Sequence, residues 1–140
     1  MTTDLRLDAQ LCFALYAASR KVSRTYREPL KHLGLTYPQY LVLLVLWEQD
    51  HRTVSQLGSA LTLDSGTLSP LLRRMEASGF VTRARAAQDE RSVVVSLTPL
   101  GQELRDQTAV IRDDLMGRVP LTQEEQQTLM DLVRKLTQAP

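Results

Sequence analysis

Threonine stands three residues ahead of a glutamine or glutamate at Thr36–Gln39, Thr53–Gln56 and Thr122–Glu125. At that spacing the threonine hydroxyl accepts from the amide three positions on. The longer side chain reaches back to the threonine's own N–H, so each pair opens a helix. Gly34 and Gly79 stand where two helices should stop, and Pro120 breaks another. These start and stop signals divide the chain into separate helices.

The first helix is predicted over residues 8–32, striped by Leu11, Leu15, Ala18 and Val22. The second runs to about residue 49 and is apolar on nearly all sides, which makes it the buried centre of the domain. Thr53 opens a short third helix, Val54–Leu61. After a tight break Asp64 or Ser65 caps a fourth that ends near Gly79. Two short helices so close together have the form of a helix-turn-helix.

The apolar period then changes from 3.6 to 2. Residues 80–85 and 92–98 have strand character around a polar loop at 86–91, which is a β-hairpin wing. Thr98 and Pro99 supply the N-cap and first position of a fifth helix, reaching about residue 118. Leu129, Leu132, Val133 and Leu136 stripe a last one. The fold class is mainly α (α+β), one domain over residues 1–140, with a winged helix-turn-helix at about 36–98. Helices at 8–33 and 99–138 carry more apolar surface than so small a module can cover, so they are expected to form a homodimer.

Composition narrows the functional classes. The residues before Gln10 include Asp4 and Asp8 and no apolar core region, unlike a secretory signal. The longest apolar run, residues 40–47, falls far short of the ~20 needed to cross a bilayer. A single cysteine makes no intrachain disulfide, and a cytoplasmic protein without a membrane partner is expected. His32 and His51 have no ligand-like neighbours in the sequence. No metalloprotease, nucleophile-elbow, phosphate-loop or dinucleotide motif is present, so neither a metal, a cofactor nor an enzymatic activity is expected.

The formal net charge of +1 says little about partners, but local clustering does. Ser65, Thr67 and Ser69 lie at the start of the fourth helix, with Arg73 and Arg74 further along it. Residues at that end of the second helix of a helix-turn-helix meet base edges in the major groove. Between Arg73 and Arg91 there are five arginines (with Arg74, Arg83 and Arg85) against Glu76, Asp89 and Glu90. Asp89 is placed to pair with Arg91 and hold it outward, and an arginine at a wing suits a narrow minor groove.

Cys12 has two readings. A lone cysteine on an apolar helix face is commonly an inert core residue. Against that, Cys12 lies in the opening turns of a helix, where the macrodipole favours a thiolate, and Tyr16 stands one turn on. Tyr26 is about four turns away, within reach only across an antiparallel partner helix.

The stretches Leu11-Cys12-Phe13-Ala14-Leu15-Tyr16, Thr36-Tyr37-Pro38-Gln39-Tyr40, Leu63-Asp64-Ser65-Gly66-Thr67-Leu68 and Asp89-Glu90-Arg91-Ser92 resemble the MarR family of transcription regulators. The setting of the cysteine resembles the organic-hydroperoxide-responsive branch. The resemblance implies a homodimeric repressor on an inverted-repeat operator in double-stranded DNA. By that likeness Asp64, Ser65 and Thr67 begin the recognition helix and Arg91 enters the minor groove. Cys12 would be the thiol oxidised by organic hydroperoxide, with Tyr16 and Tyr26 bonded to its sulfur across the dimer. Members with a resolving cysteine carry it near the C-terminal helices, and this chain has none. Oxidised Cys12 would stop at sulfenic acid, condense with a small thiol or a backbone nitrogen, or overoxidise. The rival readings are a repressor released by a small phenolic or aromatic acid, with Cys12 structural; a thiol peroxidase; and a winged helix used for protein contacts alone.

Overall fold

The computed structural model describes residues 3–138, the Glu90 side chain aside. Six helices run in chain order: α1 Leu11–Lys31, α2 Tyr37–Glu48, α3 Val54–Leu61, α4 Ser65–Ala77, α5 Pro99–Gly117 and α6 Gln123–Gln138. Three strands, β1 Arg52–Thr53, β2 Val81–Ala86 and β3 Asp89–Leu97, form an antiparallel sheet in the order β1-β3-β2.

All three predicted capping boxes form. Gln39 and Gln56 donate their backbone N–H to Thr36 and Thr53 at 3.4 and 3.1 Å, and their side chains accept in return at 3.1 and 2.9 Å. Thr122 and Glu125 exchange the same two bonds at 3.1 and 3.2 Å. Helix α2 is the centre of the core, burying Tyr40, Val42, Leu43 and Leu46. Leu57 of α3, Leu68, Leu72 and Met75 of α4, and Val81 and Val95 of the sheet close around it.

The turn between α3 and α4 depends on a glycine. A Cβ on Gly58 would lie 2.8 Å from the Leu63 carbonyl oxygen, so only glycine allows that approach. Thr62 makes the turn itself in the left-handed region, at φ 56.

Three boundaries differ from expectation. Helix α1 begins at Leu11, because Gln10 is extended and a separate 3-10 turn occupies Leu7–Ala9. The hairpin loop shrinks to Ala87 and Gln88, since Ala86 pairs with Asp89 across a bulge after Arg85. Asp89 and Arg91 therefore belong to β3 rather than to a loop. Strand β1 is the third difference: two residues pair with Val94 and Val95, too few to leave a period-2 pattern.

Helix α5 joins the winged module to the terminal helices through one tight junction. Thr98 caps α5 by accepting from Gly101 N–H at 3.1 Å, and its own N–H donates to Phe80 O at 3.1 Å. A Cβ on Gly101 would stand 2.2 Å from that Phe80 oxygen, and the Trp47 indole N–H donates to Gly101 O at 3.0 Å. Beyond it the chain has little cover of its own. Leu11 and Val22 of α1 are exposed, as are Leu129, Leu132 and Leu136 of α6, and α6 buries no residue.

Gly101→Ala is expected to destabilise the fold by about 3 kcal/mol, because backbone rather than a flexible side chain must move. Gly117, where an added methyl would meet nothing within 4 Å, is the control: alanine there should be neutral or slightly stabilising. Urea midpoints of the two variants would measure the difference; equal midpoints would refute the tight junction.

Candidate nucleic-acid interface and redox site

The inner face of α4 is apolar, with Leu68, Leu71, Leu72 and Met75 all buried. Its period leaves two outward rows, Ser65–Ser69–Arg73 and Thr67–Arg74, and among these only Ser69 is half-covered. Asp64 is the N-cap and accepts from Thr67 N–H at 2.7 Å. Backbone and side-chain bonding from Thr67 holds the Asp64 carboxyl below its usual range. Asp64 thus shapes the helix start, and Ser65 and Thr67 present their hydroxyls from it.

The sheet brings the wing beside this helix. Ser69 of α4, Arg91 and Ser92 of β3, and Ser55 of α3 line one cleft of about 280 Å³. A second, open hollow of about 640 Å³ between α3 and α4 is rimmed by Ser55, Ser59, Thr62 and Ser65. Ser55, Ser59 and Ser92 have no place in the sequence-based set, because serines on a short helix or strand carry no positional signal until the tertiary fold brings Ser55 and Ser92 to the cleft of Arg91 and Ser59 to the hollow beside α4.

Two expected roles change. Arg83 faces α4 and bonds Glu76 through its backbone N–H at 3.0 Å and its guanidinium at 3.1 and 3.3 Å. Its charge is spent inside the module, leaving Arg73, Arg74, Arg85 and Arg91 as the exposed cations of this face. Asp89 does not hold the Arg91 guanidinium either. Its carboxylate accepts from Arg91 backbone N–H at 3.0 Å and from the Ser92 hydroxyl at 3.2 Å, which sets the backbone where the wing turns.

Cys12 lies in the first turn of α1 and is exposed in the single chain. Tyr16, one turn on, is 59% exposed, with the Arg20 guanidinium carbon 5.4 Å from its ring centre. Tyr26 stands apart from both. It is buried against Tyr37 and Tyr40, with ring centres 5.0 and 5.7 Å away, and Trp47 continues the cluster 6.3 Å beyond Tyr40. Fourteen residues of helix separate Cys12 from Tyr26 by ~21 Å, so one chain does not bring them together. Burial raises the phenol pKa of Tyr26, Tyr37 and Tyr40 above the ordinary value. The neighbouring place of Tyr37 has no sequence signal, because the α1–α2 turn alone decides it.

Among the described residues no three His, Cys, Asp or Glu side chains gather as metal ligands, and no helix is long and apolar enough to cross a membrane. His51, at φ 59, meets the Ser96 hydroxyl at 2.7 Å, and Asp50 accepts from the backbone N–H of His51 and Leu97 at 2.8 and 2.9 Å. That pair ties the end of α2 to the wing.

Residues 24–108 match the family model of the transcriptional regulators SarA/Rot. The chain belongs to the SarA/MarR-type winged-helix transcriptional regulators. It is 51% identical to the HTH-type transcriptional regulator TtmR of Methylorubrum extorquens over 125 residues, 89% of this chain and 64% of that protein's length. It is 49% identical to the organic hydroperoxide resistance transcriptional regulator of Bacillus subtilis, over 81% of this chain and 77% of that one. Reduced AbfR of Staphylococcus epidermidis, solved bound to DNA, is 38% identical with a TM-score of 0.79, covering 95% of this chain and 93% of that one. A mutant MarR of E. coli complexed with operator DNA superposes with a TM-score of 0.85 at 28% identity, over 96% and 99% of the two chains. The relatives are regulators rather than enzymes.

In this regulator Glu76→Gln is expected to lower stability at neutral pH and to have no effect in strong acid. Side-chain and backbone hydrogen bonding from Arg83 depresses the folded Glu76 pKa. The bridge therefore contributes fully above the ordinary glutamate range and is lost as pH falls through the depressed value. Urea midpoints of the two proteins, followed from about pH 7 to about pH 3, should converge; curves that stay parallel would show that the ion pair contributes nothing.

Proposed function

We propose that the chain is a dimeric repressor that binds an inverted-repeat operator and releases it when an organic hydroperoxide oxidises Cys12. One observation carries this: the only cysteine is exposed in the first turn of a helix whose neighbouring apolar residues, Leu11, Phe13 and Tyr16, are themselves uncovered. A thiol meant for a core would not sit there. The Bacillus relative is an organic hydroperoxide regulator, and AbfR has been solved reduced on DNA, overoxidised on DNA and with a disulfide formed. Those protein names and states support a redox reading.

In the dimer the terminal helices pair, and two copies of α4 face successive turns of the major groove. Ser65, Thr67 and Ser69 meet base edges and backbone, and Arg91 reaches the minor groove from the wing. Arg73, Arg74 and Arg85 neutralise phosphates.

The Cys12 thiolate attacks the distal oxygen of the hydroperoxide. The O–O bond breaks, the alcohol leaves with a proton, and the sulfur is oxidised by two electrons to a sulfenic acid. Without a resolving cysteine in the chain, a small thiol can then condense with it, losing water. Tyr16 is adjacent, and Tyr26 is reachable only from the partner subunit, so the added bulk falls at the seam between chains. A change from nearly full to nearly empty operator requires the two states to differ by ~5 kcal/mol in affinity for DNA.

A gel-shift titration on inverted-repeat DNA from the protein's own promoter region, with and without one equivalent of organic hydroperoxide, tests this. Peroxide should release the wild type and leave Cys12→Ser bound. Release of both, or of neither, would remove Cys12 from the mechanism.

Arg91→Ala should weaken operator binding by about 1–3 kcal/mol and lower the salt dependence. Thr67→Ala should change base preference more than non-specific affinity. Unchanged operator affinity in the first, or an unchanged preference in the second, would remove that residue from the interface.

A further inference from the structure

We infer that Gly66 sets the depth at which α4 enters the major groove, and so decides whether the short hydroxyls of Ser65 and Thr67 reach the base edges. This rests on the DNA-binding reading above and names the residue on which its sequence selectivity turns.

Four glycines are required by the fold itself. Gly34 and Gly79 take positive φ, and a Cβ on Gly58 or Gly101 would run into a backbone carbonyl. Gly66 is different. It is exposed in the first turn of α4, and an added Cβ would meet only Asp64 Oδ1, at an ordinary 3.5 Å. Alanine is the better helix former at such a position, so the free protein gains nothing from the missing side chain.

The place of Gly66 on the helix says what the gap serves. At 3.6 residues per turn it falls almost diametrically opposite the buried Leu68, Leu71, Leu72 and Met75. It therefore stands on the crest of the outward face, with Ser65 and Ser69 on one flank and Thr67 and Arg74 on the other. One turn on, the same crest carries Pro70, a second residue that a helix interior disfavours because it has no N–H for the ladder. Glycine and proline together keep the crest low over the first two turns. Local helix preference is given up twice on the strip that points away from the core, which is where a partner and not the fold sets the requirement.

Dimensions fix the nature of that requirement. A helix with its side chains is about 10–12 Å across and the major groove about 12 Å wide, so a seated helix has little slack. Serine and threonine hydroxyls extend only one atom beyond Cβ. From a helix held off by one layer of carbon on its crest, they end short of the bases. Arg73 and Arg74 have no such limit, since their long side chains reach phosphates from either depth. A side chain at Gly66 should therefore remove base reading and spare the non-specific attraction.

Fluorescence anisotropy on the full chain tests this, with inverted-repeat DNA from the protein's own promoter region and an unrelated duplex of equal length at one salt concentration. Gly66→Ala should lower affinity for the inverted repeat roughly ten-fold, and Gly66→Leu further, while affinity for the unrelated duplex stays within about two-fold. The urea midpoints of both variants should equal or exceed that of wild type. Thr67→Ala should cost affinity in the wild type and almost nothing more in the Gly66→Leu chain, where the hydroxyl is already out of reach. Gly117→Ala, at an equally open glycine on α5, should leave both affinities unchanged. Retained affinity for the inverted repeat in Gly66→Leu, an equal loss on both duplexes, or an additive effect of Thr67→Ala overturns the depth role and leaves the DNA-binding reading intact. A lowered urea midpoint in Gly66→Ala also overturns it, because the glycine then serves the fold. A wild type that binds neither duplex overturns both.

Discussion

The close approach of Gly101 to the Phe80 carbonyl is the contact on which the rest of the molecule depends. It is backbone against backbone, so it cannot relax by a rotamer change, and Trp47 fixes it from the third side through the Gly101 oxygen. Thr98 links the same point to the end of β3 and the start of α5. The winged module is thereby coupled rigidly to α5. In the proposed switch this rigidity converts a small change at Cys12 into a change in the spacing of two recognition helices.

Charge is used in two distinct ways on the side formed by α4 and the wing. Asp64, Asp89 and the Glu76–Arg83 pair organise the backbone: one caps α4, one sets the wing turn, and one binds β2 to α4. Their bonds are local and geometrically specific. Arg73, Arg74, Arg85 and Arg91 remain exposed, free to meet a polyanion whose attraction is long-ranged and salt-dependent. The near-neutral chain thus carries a cationic face because its acids there are consumed by structure.

Around Cys12 the logic is the opposite. Tyr26, Tyr37 and Tyr40 are packed tightly where α1 meets α2, whereas Leu11, Cys12 and Tyr16 are exposed at the other end of the same helix. A helix 21 residues long with one end in the core and the other uncovered is stable only where something covers it. The apolar faces of α1 and α6, with Leu11, Val22, Leu129, Leu132 and Leu136 exposed, are left uncovered by the chain itself.

The starts of every helix but α1, the helix-turn-helix and the wing were legible in the residues, because a capping box or a Thr-Pro pair is a local interaction whose geometry is set within four positions. The apolar stripes likewise announced faces too large for one small domain. Strand β1, the two-residue wing tip, and the partners of Arg83 and Asp89 were not legible. Each depends on which backbone lies opposite in the sheet, and an arginine at Arg83 looks no different in sequence from one at Arg85. Cys12 and Tyr16 could be placed on one helix face by spacing alone, while Tyr37 came to Tyr26 only through the turn at Gly34. Sequence determined where each element begins and which face is apolar, since those follow from near neighbours. Tertiary structure decided which charges are spent inside the fold and which remain for a partner, since opposite charges pair by distance in space.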